Sequence, residues 1–467
     1  MTSHKQISVL GGGPAGLASG YFASKKGYDL SIYEANSSIG GNAITFQYGD
    51  FLYDSGAHRF HDKDPEVTEE VKLLLGDDLH RIDVPSQIYH EGRFIDFPIS
   101  PLNLLSNIGM KTFIIALREI VHERLFGQDV RDIKSLYEHA CKKYGFTLAD
   151  KFLLNYSEKL WGSSCNNLSH KVSGSRIKGL DLTTFITEAF LGKKAKTRHL
   201  DGAFYYPAFG IGMITDKLAD ACGKENIYLN SKITKVFHDF QAINAIEING
   251  KKIVELKDTE IISTLPVSLF INLLEPLPDK HFLDLVNKLK FRSLLLIGLF
   301  LNKESVTQNS SVYFPDKDFP FTRVYEPRNR SKQMSPPGKT SLIVELPCSP
   351  HDKIWKMKDS DIVHVVASKL FKVHGISHKE VIGSTVKRMN NAYPILEVEV
   401  EDIVHHCIDF LNRFKNLRIT GRNGKFLYTH LHDMIRFGKD VIDSIDAVSL
   451  ELDTGFVERL NIKDHVA

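Results

Sequence analysis

The sequence has little cysteine, no excess of charge of either sign and no long apolar run. Five cysteines occur in 467 residues (Cys141, Cys165, Cys222, Cys348, Cys407), an odd number with no CxxC pair. This usage excludes a disulfide framework and a cysteine zinc site, and it is that of a reduced, intracellular chain. Histidine is plentiful at 20, but no HExxH or similar ligand spacing appears, so no metal site is expected. Lys and Arg number 59 against 57 Asp and Glu, a net charge of +2. That balance argues against a nucleic-acid binder. The longest uncharged apolar stretch, Ser293 to Leu301, is about half of the ~20 residues a spanning helix needs. No transmembrane segment is therefore expected. Lys5 is followed by a short apolar run that three glycines end, which is too short for a signal peptide and shaped like a buried strand meeting a turn. There is no internal repeat and no low-complexity tract. These absences leave a soluble cytoplasmic enzyme as the expectation.

What is present is globular: 42% apolar and 25% charged residues, with a length that suggests two or three domains. Residues 6–10 read as a strand and 14–27 as a helix with Leu17, Ala18, Tyr21 and Phe22 on one face, stopped by Gly27. Residues 29–33 alternate like a second strand, making a βαβ start. Helices are expected over 68–80 and most of 101–160. Between them lies a hairpin over 87–97, turning at Glu91-Gly92 and closed by Pro98 and Pro101. The apolar face of 101–126 is interrupted by Lys111, Arg118, Glu119, Glu123 and Arg124. It suits a cavity wall, a membrane surface or, the favoured reading, a core. Short strands are expected within 225–265, apolar strands at 291–301 and 340–347, and helices at 359–373 and 433–447. The Pro-rich stretch 326–339 reads as a surface loop with Arg328 and Arg330 solvated.

Gly11-Gly12-Gly13-Pro14-Ala15-Gly16 is a GxGxxG that follows a strand and opens a helix. Gly11 permits the tight turn, Gly13 the approach of a pyrophosphate, and Gly16 close helix–sheet packing, with the phosphates at the helix N-terminus. The second strand ends in Glu34, where a carboxylate would accept the ribose hydroxyls. Strand, glycines, helix and acid in register predict dinucleotide binding.

After Glu34 come five residues and then Gly40-Gly41. With the GxGxxG and the Glu, this pair resembles the N-terminal signature of FAD enzymes of the amine oxidase superfamily, which includes protoporphyrinogen oxidase, phytoene desaturase and UDP-galactopyranose mutase. The resemblance implies FAD, held by Gly11, Gly13, Pro14, Ala15, Gly16, Glu34, Ala35, Gly40, Gly41 and Asn42, the second glycine pair offering backbone N–H groups to the phosphates. It also implies that Val236 meets the adenine through its backbone and that 261–266 runs back towards the diphosphate. The implied fold class is α/β: a Rossmann-like FAD-binding domain with a doubly wound parallel sheet, interleaved with an α+β substrate or cap domain. The expected segments are 1–90, 201–270 and 406–467 for FAD, 91–200 for a helical cap and 271–405 for an antiparallel-sheet substrate part.

Within the superfamily the motifs resemble the mutases most. Ala57-His58-Arg59-Phe60-His61 is similar to their histidine segment near the flavin ring, with Ala57 where a Gly or Pro is usual. Further resemblances are the 87–97 hairpin, the stretch from Asn155 to Gly162, and the turn Tyr206-Pro207 to Gly212. Tyr313 and Arg323 resemble a Tyr and an Arg that meet a substrate diphosphate. Gly421, Arg422 and Tyr428 resemble the closing motif, where an Arg meets substrate and flavin and a Tyr meets the diphosphate. The resemblance thus implies His58, Tyr313, Arg323, Arg422 and Tyr428 as catalytic residues, with His58, Gly421 and Arg422 also near the cofactor. The implied reaction is a pyranose–furanose isomerisation of a nucleotide-diphosphate sugar through an adduct at flavin N5. Thr429-His430-Leu431-His432-Asp433 departs from the mutase pattern. The alternative is an FAD-dependent oxidoreductase acting on a glycan, lipid or isoprenoid, and a flavin-binding scaffold is a third reading. A small-molecule substrate is the expected partner, with NAD(P)H as a candidate reductant and a homodimer as a candidate assembly. Trp161 is expected in the core.

Overall fold

The computed structural model describes residues 6–97, 101–126, 133–172 and 203–454. The expected stop at Pro98 and the expected boundary at 200/201 lie outside them. Five parallel strands form the first sheet, in the order Leu417–Ile419, Thr259–Ser263, Gln6–Leu10, Asp29–Tyr33 and Ile227–Tyr228. Its central strand, Gln6–Leu10, is buried from Ile7 onwards, as a strand covered on both faces must be. The first helix, Pro14–Lys25, starts without a side-chain cap on Gly13 and has Pro at its first position. It lies against Gly212–Cys222 and the last helix, Leu431–Thr454. Gly438 makes the last contact close, since a Cβ there would sit 2.5 Å from the Ala18 Cβ.

A seven-stranded sheet forms the second layer, in the order Val381–Pro394, Phe291–Leu301, Thr340–Cys348, Arg323–Tyr325, Ser311–Tyr313, Ser86–His90 and Arg93–Phe97. Pairing is antiparallel throughout except between Ser311–Tyr313 and Ser86–His90. Thr340–Cys348 is wholly buried although it carries Glu345. A four-stranded sheet (Lys252–Glu255, Ile243–Ile248, Ile233–His238, Leu274–Glu275) closes one end. The helices Pro101–Phe126 and Leu136–Ala149 cover the Arg93–Phe97 end of the large sheet, and Asn155–Trp161 packs against Thr340–Cys348.

Several expectations change. The helix read over 68–80 is Pro65–Leu75, capped by Asp64 and ended at Gly76 (φ 56°), and Leu79–Ile82 is a strand paired with Phe204–Pro207. The last helix begins at Leu431, two residues before the expected start. The stretch 326–339 is no surface excursion. Pro327, Arg330 and Met334 are buried, and the Arg330 guanidinium donates to the carbonyls of His58 (2.7 Å) and Ser310 (3.2 Å) and lies 4.6 Å from the Tyr325 ring. A guanidinium tolerates such burial because carbonyls and a ring face replace its hydration. Arg328 is also largely covered and donates to the Lys339 carbonyl at 3.0 Å. Pro101–Phe126 bends at Gly109 (φ 77°) and packs only Leu104, Ala116, Ile120 and their neighbours inward, so the core reading holds for one side of the helix alone. Trp161 is in the core, 2% exposed.

Candidate active site

The C-terminal ends of the parallel strands open into a cavity of about 550 Å³, within the size range of cofactor and ligand clefts. Gly11, Gly13, Pro14, Ala15, Glu34, Gly41, Asn42, His58, Tyr313, Arg323, Gly421, Arg422 and Tyr428 all line it. Gly16, Ala35 and Gly40 do not line it; Gly16 and Gly40 are buried and Ala35 is exposed. Gly16 serves helix–sheet packing, since a Cβ there would fall 2.0 Å from the Gly11 carbonyl oxygen. Gly13 and Gly41 face each other across the cradle, and a Cβ on Gly13 would find nothing nearer than the Gly41 Cα at 3.8 Å.

The cradle fits FAD. The helix N-terminus after Gly13 has no side-chain cap, so its first N–H groups and dipole are free to meet a pyrophosphate. Glu34 is buried and held rigid: Oε2 accepts from the Gly12 N–H (2.8 Å), and Oε1 accepts from the backbone (2.9 Å) and side chain (2.7 Å) of Asn36. Lone pairs remain for ribose hydroxyls. Thr264 to Pro266 line the cavity beyond the Thr259–Ser263 strand. Val236 does not line it. Val236 is wholly buried in a hydrophobic core, and its N–H donates to the Leu273 carbonyl at 2.7 Å. Just before that strand, the Ser231 N–H donates to the Glu34 carbonyl at 2.7 Å.

His58 sits in a short network. Ser55 Oγ donates to the Asn42 carbonyl (2.9 Å) and accepts from the Ile44 N–H (3.2 Å), and His58 Nε2 lies 3.2 Å from it. With that hydroxyl proton committed, Nε2 is the donor and Nδ1 keeps the lone pair. Burial pushes the imidazole down to about 4, helped by Arg323, Arg422 and Arg330 and opposed by Glu345. The ring is therefore neutral at physiological pH.

Arg323 lines the cavity but is engaged. Its Nε and Nη2 clasp Glu345 at 2.7–2.9 Å, and Glu345 also accepts from the Ala57 N–H at 2.5 Å. Burial disfavours the charge on Arg323, but Glu345 outweighs this and holds its pKa above the usual value. Glu345, 1% exposed, is a cavity-side charge that sequence reasoning missed. A lone acid in the otherwise uncharged run Thr340 to Cys348 was the available signal. Arg422 donates to the Ala392 carbonyl and lies 5.0 Å and 5.3 Å from the Tyr393 and Tyr428 rings. Tyr428 meets Trp161 edge-on at 5.0 Å.

Beyond these groups the wall is mostly apolar, with Lys143 and Tyr144 among its lining residues. Ile88, Phe97, Leu104, Leu148 and Phe152 line the cavity and form one cluster with Tyr313. Lys159, which belongs to the stretch Asn155 to Gly162 that resembles the mutases, secures this side. Its Nζ donates to the carbonyls of Phe314, Asp316, Phe319 and Phe321 at 2.6–3.2 Å, gathering the loop between Tyr313 and Arg323. The resemblance marked the Lys-x-Trp spacing, but not that the lysine would gather these carbonyls.

A signature described as an NAD(P)-binding Rossmann-like domain matches residues 9–74. Among curated proteins, the chain is 21% identical over 261 residues to protoporphyrinogen oxidase 2 of Arabidopsis thaliana, and the match spans 51% of each protein, about half the length of that relative. It is 21% identical over 400 residues to the 4,4'-diapophytoene desaturase of Staphylococcus aureus strain RF122, covering 73% of this chain and 75% of that one. Among solved structures, reduced UDP-galactopyranose mutase superposes with a TM-score of 0.82 at 19% identity, covering 95% of this chain and 96% of the other. Cyclohexylamine oxidase from Brevibacterium oxydans IH-35A gives 0.68 at 13% identity, covering 96% and 100%. The chain has the fold of the FAD-dependent amine-oxidase-like flavoproteins.

Proposed function

We propose that the protein is an FAD-dependent oxidoreductase acting on a largely apolar small molecule with one polar or acidic group. The observation that carries this reading is the wall beyond the cradle, where an apolar cluster continues through Tyr313 to an arginine whose charge Glu345 cancels. A diphosphate carries at least two negative charges at neutral pH and would meet Glu345 beside it; a single polar group asks only for Arg422 and the tyrosines. FAD in the cradle would supply two-electron transfer with the substrate. Gly13, Gly41 and Glu34 hold the cofactor, and the apolar cluster seats the substrate and excludes water. Arg422 and Tyr428 orient its polar group. Neutral His58, with its lone pair on Nδ1, would accept the proton that leaves the atom adjacent to the carbon giving up its hydride, as the double bond forms between them.

Nucleotide-sugar isomerisation is the second reading. The convergence of Tyr313, Arg323, Arg422 and Tyr428 on one cavity favours it. One experiment separates the two. The oxidised protein is mixed anaerobically with porphyrinogens, polyenes and lipophilic amines while flavin absorbance is followed, and the dithionite-reduced protein is given sugar nucleotides with no electron acceptor. Bleaching with stoichiometric substrate oxidation is the expected result. Sugar isomer formed with no net redox change, in the absence of bleaching, would replace the oxidoreductase reading with the mutase one. NAD(P)H added anaerobically to the oxidised protein, with flavin absorbance followed, tests it as the source of electrons.

A further inference from the structure

Beyond the bend at Gly109, Met110 to Phe126 forms a helix of about 25 Å. Of the twenty exposed large hydrophobic residues among the described residues, seven lie on this one helix. Met110, Ile114, Leu117, Val121 and Leu125 follow one another at helical spacing as a single stripe, and Ile115 and Phe126 flank it. Met110 is 60% exposed, Leu125 69% and Phe126 76%. Phe146 of Leu136–Ala149, which packs against this helix, is also exposed. Scattered apolar side chains need no explanation, but a contiguous face of this length does.

The exposed charges on this helix are all basic: Lys111, Arg118 and Arg124. Its two acids are turned in or covered. Glu119 accepts from the Thr147 N–H (2.7 Å) and hydroxyl (2.8 Å), and Glu123 is half-buried. On its inner side the same helix supplies Ile120 to the cavity wall, and the segment before the bend supplies Leu104. The helix therefore separates the apolar part of the cavity from the exposed apolar face. No described helix is long and apolar enough to cross a membrane.

We propose that this face docks the protein on an anionic lipid surface, with the helix lying in the interfacial plane. The apolar stripe enters the headgroup–acyl boundary, and Lys111, Arg118 and Arg124 meet lipid phosphates. Charge decides between this occupant and a second copy of the chain. A two-fold interface through this face would bring its basic residues together with no exposed acid on the helix to receive them, whereas an anionic bilayer complements them. The docking is independent of the redox reading, since it concerns the outer side of the helix.

The test uses the full FAD-loaded protein and sedimentation with vesicles of phosphatidylcholine alone or mixed with phosphatidylglycerol. Partition into the mixed vesicles is expected to be about tenfold or more above that into the neutral ones, and to fall as salt is added. Met110→Glu/Leu125→Glu should lose about tenfold on both vesicles while keeping FAD content and melting temperature, since neither side chain is in the core. Lys111→Glu/Arg118→Glu should lose the anionic preference, about fivefold per residue. Failure of the unmodified protein to bind the mixed vesicles overturns the proposal, as does binding unaffected by the glutamate pair. Light scattering showing a dimer that the glutamate pair dissolves, with no vesicle binding, would give the face to a second copy instead.

Discussion

Gly13 and Gly16 stand three residues apart in one loop, and the space around them differs. A methyl group on Gly13 projects into the open cradle, and one on Gly16 lands on the Gly11 carbonyl. Gly13→Ala is therefore expected to leave the melting of the FAD-free protein within about 0.5 kcal/mol of the unmodified chain while weakening FAD about tenfold or more. Gly16→Ala should instead destabilise the fold itself by about 1–3 kcal/mol through overpacking. Thermal melts of the FAD-free proteins and fluorescence titration with FAD separate the two. His58 gives a pH-dependent counterpart. The folded protein keeps it neutral down to about 4, whereas an unfolded chain protonates it near 6.5. The stability it contributes is complete above about 6.5 and is lost as pH falls towards 4. His374, also pushed down to about 4 by burial, acts over the same interval. His58→Gln should remove part of the acid limb, and melting temperatures measured from pH 7 to 4 check this. A slope unchanged from the unmodified protein would mean that His58 is not buried as a neutral ring.

The helix Asn155–Trp161 shows how one element serves a site it barely enters. Tyr156 lines the cavity, Trp161 supports Tyr428, and Lys159 holds four carbonyls of the loop joining Tyr313 to Arg323. Burial pushes the lysine down to about 8, and the carbonyls justify its presence in the interior. Lys159→Met preserves the length of the stem and removes the donors. It should cost about 1–3 kcal/mol for the unsatisfied carbonyls and lower turnover by displacing Tyr313, with FAD affinity unchanged because the cradle lies on other elements. Denaturant unfolding and steady-state kinetics read the two effects. Turnover equal to that of the unmodified protein would assign the cage to stability alone.

At the scale of the molecule, the dinucleotide cradle is assembled from strands at residues 6–33, 227–263 and 417–419, with the large sheet and its helices inserted between them. The Arg323–Glu345 pair and the Ala57–Glu345 bond join a loop of the first layer to strands of the second. Such interleaving predicts one cooperative unfolding transition, which excess FAD shifts upward as a whole by mass action. Flavin fluorescence and far-ultraviolet circular dichroism should therefore melt together, and two separated transitions would show that the layers unfold independently.

The cofactor end was legible from residues alone. The reason is locality: Gly11 to Gly16, the strands on either side and Glu34 all fall within 29 residues, and the chemistry of a phosphate cradle resides in glycine and helix-start geometry that a short segment sets for itself. The hairpin turning at Glu91-Gly92 was readable for the same reason, since both residues take positive φ. What partners a charge was not readable, because it is set across hundreds of residues. Arg323 faces Glu345, Arg330 reaches back to His58, and Lys159 finds carbonyls some 160 residues away. Burial likewise depends on what the whole chain lays over a segment. The Pro-rich stretch holding Arg330 was drawn inside by carbonyls, whereas the apolar helix Met110 to Phe126 was left half uncovered. Local sequence thus determined that this protein binds a dinucleotide, and only the tertiary structure decided which charges face the cavity and which are paired away from it, because electrostatic pairing and burial are properties of the assembled chain.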